Sequence, residues 1–253
     1  MRESARAPHS TRRPHVAFPP LLRARCLARP NRFLVLADLD GARVQVACRD
    51  PGRLEGVLAP GAELRIAETP AAGRKTRYTL FLARASRGWI CLVPALANQV
   101  VEAALGAGEL PGFRRARLLR REVQVGPSRF DFLWQSRGSR LVVEVKAVGL
   151  LRGGRGLFPD APTARGLRHV RELTIRRRSG QAAALLFVGL CSGVERISPH
   201  AGVDPAFAAA LVGAQRAGVT LRGYSCRVTT RGCRLEREVP VDPAFLTAPE
   251  STP

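Results

Sequence analysis

Two apolar segments, residues 129–134 and 141–148, stand either side of a short turn containing Gly138. Their aromatic and β-branched content makes them inner strands of a sheet, yet each carries charge where a core strand carries none. Side chains along a strand alternate faces, so Glu144 and Lys146 point the same way, about 6.6 Å apart, with Val143, Val145 and Ala147 opposite. A reversal through residues 135–139 folds the first strand back and brings Asp131 alongside. The chain is thereby constrained to form a sheet on which two carboxylates and one ammonium share a face.

An acid followed by a Glu-x-Lys triplet on the next strand is the arrangement used by metal-dependent phosphodiesterases of the PD-(D/E)xK kind. Two carboxylates about 4 Å apart repel by roughly 4 kcal/mol at an effective dielectric of 20, so a dry site needs a cation between them. Mg²⁺ suits such a site because it takes hard oxygen ligands and keeps several waters, with Mn²⁺ as a substitute. One of those waters can become the nucleophile, oriented or deprotonated by Lys146. The competing reading is a surface ion pair of Glu144 and Lys146 on an edge strand. Of the 41 lysines and arginines only Lys75 and Lys146 are lysine. Where arginine otherwise serves for any cation, a lysine beside the acids points to a compact ammonium being required there.

The net charge of +21 is not offset by any acidic block. Such a surface attracts polyanions in a salt-dependent way, nucleic acid first and an anionic membrane second. No apolar run approaches the roughly 18 to 20 residues of a membrane span, so integral insertion is not expected. The six cysteines show no C-x-x-C spacing and read as reduced, buried small hydrophobes. Residues 1–15 are basic and lack the apolar stretch of a secretory signal. We expect a disordered basic tail over residues 1–17, with His9 and His15 solvated, a loose tail over residues 243–253, and a cytoplasmic location. An oligomer is compatible with the sequence but not indicated by it.

Between residues 18 and 94 the pattern is of short strands at 31–39, 42–48, 63–68, 77–84 and 88–93, the first two joined by the hairpin signal Asp40-Gly41. Five short strands predict a small barrel of the OB type, a common platform for single strands. Arg74, Lys75 and Arg77, at the entry to the fourth strand, would meet a nucleic-acid backbone there; a solvated charged loop is the alternative. The turn-rich segment 48–54 has no role that its residues specify.

From residue 95 to 242 helices and strands alternate as in an α/β domain. A helix over 95–106 carries Glu102 beside its apolar side, either turned toward Asp131 or facing solvent. A strand over 118–125 bears Glu122 in a structural role, and residues 149–156 read as a Gly/Arg loop. Thr163 predicts a helix N-cap, followed by a buried stripe of Leu167, Val170, Leu173 and Thr174. On that helix Arg165 and His169 share a face, as do Arg168 and Glu172. Arg165 and His169 can act together on a phosphate near the helix start, where the backbone amides favour anions. Residues 181–190 form a nearly continuous apolar run, the mark of a buried central strand. Asp204-Pro205 starts another helix, and strands follow at 218–228 and after the turn 229–232.

With these stretches in view the chain resembles the sugar fermentation stimulation protein family, SfsA. The resemblance is carried by residues 18–22, 48–54, Arg74-Lys75 with Tyr78-Thr79, 97–102, 121–123, 128–133, Glu144-Val145-Lys146, and above all 158–173 (Phe-Pro-Asp-Ala-Pro-Thr-Ala-Arg-Gly-Leu-Arg-His-Val-Arg-Glu-Leu). It implies an all-β, OB-like N-terminal domain followed by a restriction-endonuclease-like PD-(D/E)xK mixed sheet flanked by helices. It further implies DNA binding, with RNA as a second substrate class, and Mg²⁺-dependent nuclease activity. Carried over by position, Asp131, Glu144 and Lys146 are the core. Glu102 matches a glutamate on the preceding helix, and Arg165 and His169 match the T-x-R-G-x-(K/R)-H block. The expected ligands are Asp131, Glu144, the Val145 carbonyl and Glu102, with Arg165, Arg168 and His169 on the phosphate. The chain departs from the family at residues 47–51, where H-C-P-N-(T/S) is usual, at Ala97-Asn98-Gln99, and at Arg168, where lysine is common. A non-catalytic, largely non-specific DNA-binding regulatory protein is the alternative function.

Overall fold

The structure, a computed structural model, describes residues 15–54, 56–69 and 76–243. Strand β1 (Val16–Ala17) belongs to the second domain. The first domain follows with β2 (Leu22–Asn31), β3 (Leu34–Leu39), β4 (Ala42–Ala47), β5 (Glu63–Glu68), β6 (Tyr78–Ala85) and β7 (Gly88–Cys91). Five of these close a barrel in the order β4-β3-β2-β5-β6, sealed where β4 pairs in parallel with β6 at Val46↔Tyr78 and Ala47↔Thr79. The β3–β4 turn has Asp40 at φ 53° and Gly41 at φ 84°, the left-handed pair that suits a two-residue hairpin. Val35, Ala37, Val46, Leu64, Ile66 and Leu80 fill the interior.

The barrel is an OB fold, but its strands are not quite those expected. The hairpin turn at Arg32-Phe33 ends a ten-residue strand, β2, that the sequence pattern did not announce. Its inward residues Ala24 and Cys26 are small, and Arg23 and Arg25 alternate with them, so its period of two carries little hydrophobic contrast. Strand β7, expected as the fifth barrel strand, is an appendage to β6 that reaches the second domain, where Cys91 N–H donates to Leu190 O at 2.8 Å.

The second domain runs α1 (Leu96–Gly106), β8 (Arg117–Val125), β9 (Ser128–Ser136), β10 (Ser139–Val148), β11 (Leu150–Arg152), β12 (Arg155–Phe158), α2 (Ala164–Arg178), β13 (Ala182–Gly189), β14 (Arg196–Pro199), α3 (Pro205–Arg216), β15 (Thr220–Thr229) and β16 (Gly232–Val239). Its main sheet has the order β1-β16-β15-β13-β10-β9-β8, with β10, β13 and β15 parallel and the remaining pairs antiparallel. One face packs Val142, Leu185 and Phe187 against Val170 and Leu173 of α2 and Phe207 and Leu211 of α3. The other packs Val143, Val145, Phe132 and Trp134 against Val100, Val101 and Ala104 of α1.

Residues 149–156, expected as a loop, instead form the β11–β12 hairpin. It turns at Gly153 (φ 53°) and Gly154 (φ 83°), and β12 continues the pairing in parallel with β14. The expected tail is also shorter than supposed. Val16 and Ala17 pair with β16 and cover its edge. His15 is not solvated: its Nε2 lies 2.8 Å from Glu109, and its Nδ1 accepts the Leu235 N–H. His9, Arg74 and Lys75 lie outside the described residues, as do residues 244–253. All six cysteines are free and buried. Among the described residues no helix is long and apolar enough to cross a membrane.

Candidate active site

The β9–β10 ladder runs from Ser136↔Ser139 to Phe132↔Val143 and stops there. Beyond that point Oδ2 of Asp131 accepts the Val145 N–H at 2.8 Å, so a carboxylate stands where the partner strand's carbonyl would otherwise be. The neighbouring strand bends at the same level. Glu122, which lies between the paired Arg121↔Phe132 and Val123↔Phe130, has φ 53°. In an antiparallel strand the N–H and C=O of one residue face the same edge, so the Val145 carbonyl opens to the gap that Asp131 occupies. From α1, Asn98 Nδ2 donates to Asp131 Oδ1 at 2.7 Å.

Glu144 lies on the α2 side of β10 and is 4% exposed. Its Oε1 accepts Lys146 Nζ at 2.6 Å, and Nδ1 of His169 stands 2.6 Å from the same oxygen. Its Oε2 is buried with no hydrogen-bond partner among the described residues. His169 reaches it because α2 is held at its start. Thr163 caps the helix by accepting the Gly166 N–H at 3.1 Å, and Asp204, itself the cap of α3, accepts the Thr163 N–H at 2.9 Å. The Phe130 ring packs against the imidazole at 5.1 Å.

The two acids are driven apart electrostatically. Burial and then the negative charge of Glu144 push the Asp131 carboxyl up to about 6, against the Val145 N–H, the Asn98 amide and the Lys146 ammonium. Burial alone would raise Glu144 too. The His169 hydrogen bond and the Lys146 charge outweigh it and hold Glu144 below the ordinary glutamate value. Neighbouring carboxyls with divergent proton affinities, one bearing an uncompensated oxygen, form a site that a hard cation would satisfy. No group of three His, Cys, Asp or Glu side chains suited to a metal occurs among the described residues. The oxygens available to an ion here would be two carboxylates and a backbone carbonyl, a sparse set that would suit an ion retaining waters better than a fully protein-caged one.

A profile described as "Sugar fermentation stimulation protein RE domain" matches residues 95–232, and one described as "SfsA N-terminal OB domain" matches residues 27–92. The chain belongs to the SfsA family. A sugar fermentation stimulation protein homolog of Moorella thermoacetica is 43% identical over 82% of this chain and 90% of its own length. One of Chloroflexus aurantiacus is 40% identical over 91% of this chain and 89% of its own. The solved structure of Pyrococcus furiosus SfsA in complex with Ca²⁺ superposes with a TM-score of 0.83 at 29% identity, over 91% of this chain and 100% of that one.

Within this SfsA-family chain the residues singled out by sequence are not all brought together. Lys146 meets Glu144, and Asp131 meets the Val145 N–H within reach of both their charges, but Glu102 does not join them. Its carboxylate is held by the Arg121 guanidinium of β8, with Nε to Oε2 at 2.7 Å, while Asn98, one turn earlier on the same helix face, takes the place beside Asp131. The pairing of Arg165 with His169 on a phosphate is likewise replaced. His169 is 1% exposed and turned onto Glu144, whereas Arg165 stays exposed on the first turn of α2. Arg168 donates to Ser128 Oγ at 3.2 Å and lies 3.9 Å from Glu172. Arg77, on the barrel, is paired with Glu68 at 2.6 Å. Sequence reasoning missed Asn98, although its i, i+4 spacing from Glu102 marked it as sharing that helix face.

Proposed function

We propose that this SfsA-family chain is a metal-dependent nuclease hydrolysing phosphodiester bonds of DNA, RNA or both. The observation that carries the reading is the buried, unpartnered Oε2 of Glu144 beside an Asp131 whose carboxyl is destabilised by that same glutamate. Asp131, Glu144 and the Val145 carbonyl would hold Mg²⁺, or Mn²⁺ in its place. The Ca²⁺ complex of the Pyrococcus furiosus relative supports an oxygen-ligand cation. A bound divalent ion would lower the pKa of its water and offset charge developing on the phosphate.

The chain's own residues supply the rest. Lys146, whose Nζ lies on Glu144 Oε1 and keeps further donors, would orient the attacking water. His169 holds Glu144 Oε1 from beneath, so that Oε2 is the oxygen left for the ion. Asn98 fixes the rotation of Asp131, and exposed Arg165 draws the phosphate to the mouth of the site. The surplus of positive charge supplies sequence-tolerant grip on the nucleic acid.

The test is cleavage of end-labelled single- and double-stranded DNA and RNA with Mg²⁺ or Mn²⁺, comparing the parent with Asp131→Asn, Glu144→Gln and Lys146→Ala. Loss of cutting by about 100-fold or more in each variant is the expected result. Equal cutting by all four proteins would remove the nuclease reading. The closed Lys146–Glu144 pair favours the rival, a non-catalytic DNA-binding regulator. That rival predicts steeply salt-dependent binding with no cutting by any of them.

A further inference from the structure

The β2–β3 hairpin carries an exposed aromatic ring on a rigid mount. Phe33 is 61% exposed at the hairpin tip. Its N–H donates to Asn31 Oδ1 at 2.9 Å, and its carbonyl accepts the Cys48 N–H at 2.9 Å, so the backbone beneath the ring is fixed on both sides. The guanidinium of Arg29 donates to the carbonyls of Arg32 (3.1 Å) and Gly52 (2.7 Å) and also to that of Arg53, tying the hairpin tip to the segment that follows β4. The two pieces enclose an open cavity of about 650 Å³ lined by Arg29, Asn31, Arg32, Gly52, Arg53 and Pro162. Its charged lining is entirely arginine. Two acids lie behind its wall: Asp50 accepts the Gly52 N–H at 2.9 Å, and Asp160 is packed against Gly52 and hydrogen-bonded to the Arg53 backbone, both within reach of the Arg29 charge.

The cavity lies next to the candidate active site. Pro162 adjoins Thr163, the cap of α2, and His169 on that helix touches Glu144. Six residues of helix rise separate cap from histidine, about 9 Å. A strand whose reacting phosphate lay at Asp131 and Glu144 would therefore reach this cavity within a few nucleotides.

We propose that the cavity and Phe33 form a subsite for single-stranded nucleic acid, with an unpaired base stacked on the Phe33 ring and the neighbouring phosphate held by Arg32. The inference rests on the nucleic-acid reading above and narrows its substrate to strands with unpaired bases. A base presents its face to an exposed ring only when it is free of its duplex stack, and arginines on both sides suit a backbone without reading sequence. The place also differs from the one expected on the barrel. Arg77, at the start of β6, is occupied by Glu68, whereas the hairpin tip offers an open ring beside arginines.

The experiment measures binding by fluorescence anisotropy in the presence of chelator, so that no cutting intervenes. The probes are a labelled oligothymidylate of about 12 nucleotides and a blunt duplex hairpin. The full chain is compared with Phe33→Ala, Phe33→Trp and Arg32→Ala. Because the Phe33 ring is exposed, the substitutions leave the barrel core untouched, which an unchanged unfolding midpoint will verify. Phe33→Ala should weaken oligothymidylate binding by about tenfold or more while sparing the duplex, and Phe33→Trp should keep the affinity and lose tryptophan fluorescence on binding. Arg32→Ala should flatten the slope of log K against log salt by about 0.7, one phosphate on a single strand. Undiminished binding by Phe33→Ala, equal loss on duplex and single strand, or unquenched Phe33→Trp would each overturn the subsite. A parent that cuts nothing yet binds in this Phe33-dependent way would refute the nuclease reading alone. Cutting with Phe33-independent binding would refute the subsite alone.

Discussion

Replacing Asp131 by asparagine should make the metal-free protein more stable at neutral pH, although it removes a residue placed at the centre of the site. The carboxyl has an ordinary value of 3.8 when the chain is unfolded and about 6 when folded, because it is buried beside Glu144. A carboxyl raised in this way favours folding where it is protonated. Its contribution is fully present below the unfolded value and is lost as pH rises through the folded one. A tenfold difference in proton affinity is worth about 1.4 kcal/mol, so ionised Asp131 costs the folded state about 3 kcal/mol at pH 7.5 and about 1.6 kcal/mol at pH 5. Asparagine is isosteric and never ionises. It still offers an oxygen to the Val145 N–H, and the Asn98 amide can turn over to meet its new NH₂ group. Urea unfolding in chelator should therefore show Asp131→Asn more stable than the parent at pH 7.5, by up to about 3 kcal/mol, with the advantage shrinking by about 1.4 kcal/mol at pH 5. Excess Mg²⁺ should close the gap from the other side, by stabilising the parent and not the variant. If the variant is no more stable than the parent at pH 7.5, or its advantage is the same at both pH values, the strained carboxylate pair does not exist as described.

The remaining predictions concern the supports of the site. His169→Ala removes one of the two donors on Glu144 Oε1 and should lower cleavage by about 10- to 100-fold, with glutamine, which can still donate, recovering part of the loss in kcat. Asp204→Ala uncaps α3 and releases the Thr163 N–H at the start of α2, and should cost about 2 kcal/mol in urea unfolding. A Cβ on Gly52 would fall 1.7 Å from Asp160 Oδ2, so Gly52→Ala should lower the unfolding midpoint, and adding Asp160→Ala should recover much of it in a double-mutant cycle.

The parts of this fold legible in the sequence are those with strong local contrast. The apolar run that became β13, the Asp40-Gly41 turn and the Thr163 and Asp204 caps each declare themselves within a few residues. Strand β2 does not, because its inward side chains are alanine and cysteine between arginines. Nor does the β11–β12 hairpin, whose residues have turn composition and become strands by pairing with each other and, through β12, with β14. The site divides in the same way. Glu144 and Lys146 share a face by strand periodicity alone, so their contact is visible in two residues of sequence. The partners of Glu102 and His169 depend on how α1 and α2 sit against the sheet. Glu102 lies beside the apolar side of α1 as its spacing assigns, but His169 is buried with Val170 and Leu173 while Arg165 stays exposed; Arg121 captures the one and Glu144 the other.

The interruption of the β9–β10 ladder links fold to chemistry. Strands that stayed paired past Phe132 and Val143 would spend the Val145 N–H and C=O on each other and leave Asp131 on a closed surface. Because they part, the Val145 N–H is met by a carboxylate, and its carbonyl opens into the same gap. The left-handed Glu122 on β8 makes that parting sustainable from the outer side, since a residue at φ 53° turns the strand instead of extending it. Relaxing Glu122 to an extended conformation would let it pair with Asp131 within the register that Arg121↔Phe132 and Val123↔Phe130 already share, and so pull Asp131 toward β8. A β-branched residue resists that left-handed backbone where glycine accepts it. Glu122→Val should therefore impair cleavage although it touches none of the site's side chains, and Glu122→Gly should preserve cleavage although it removes the ion pair with Arg129. Equal activity of the two variants would mean that the gap at Val145 is held open by something other than this kink.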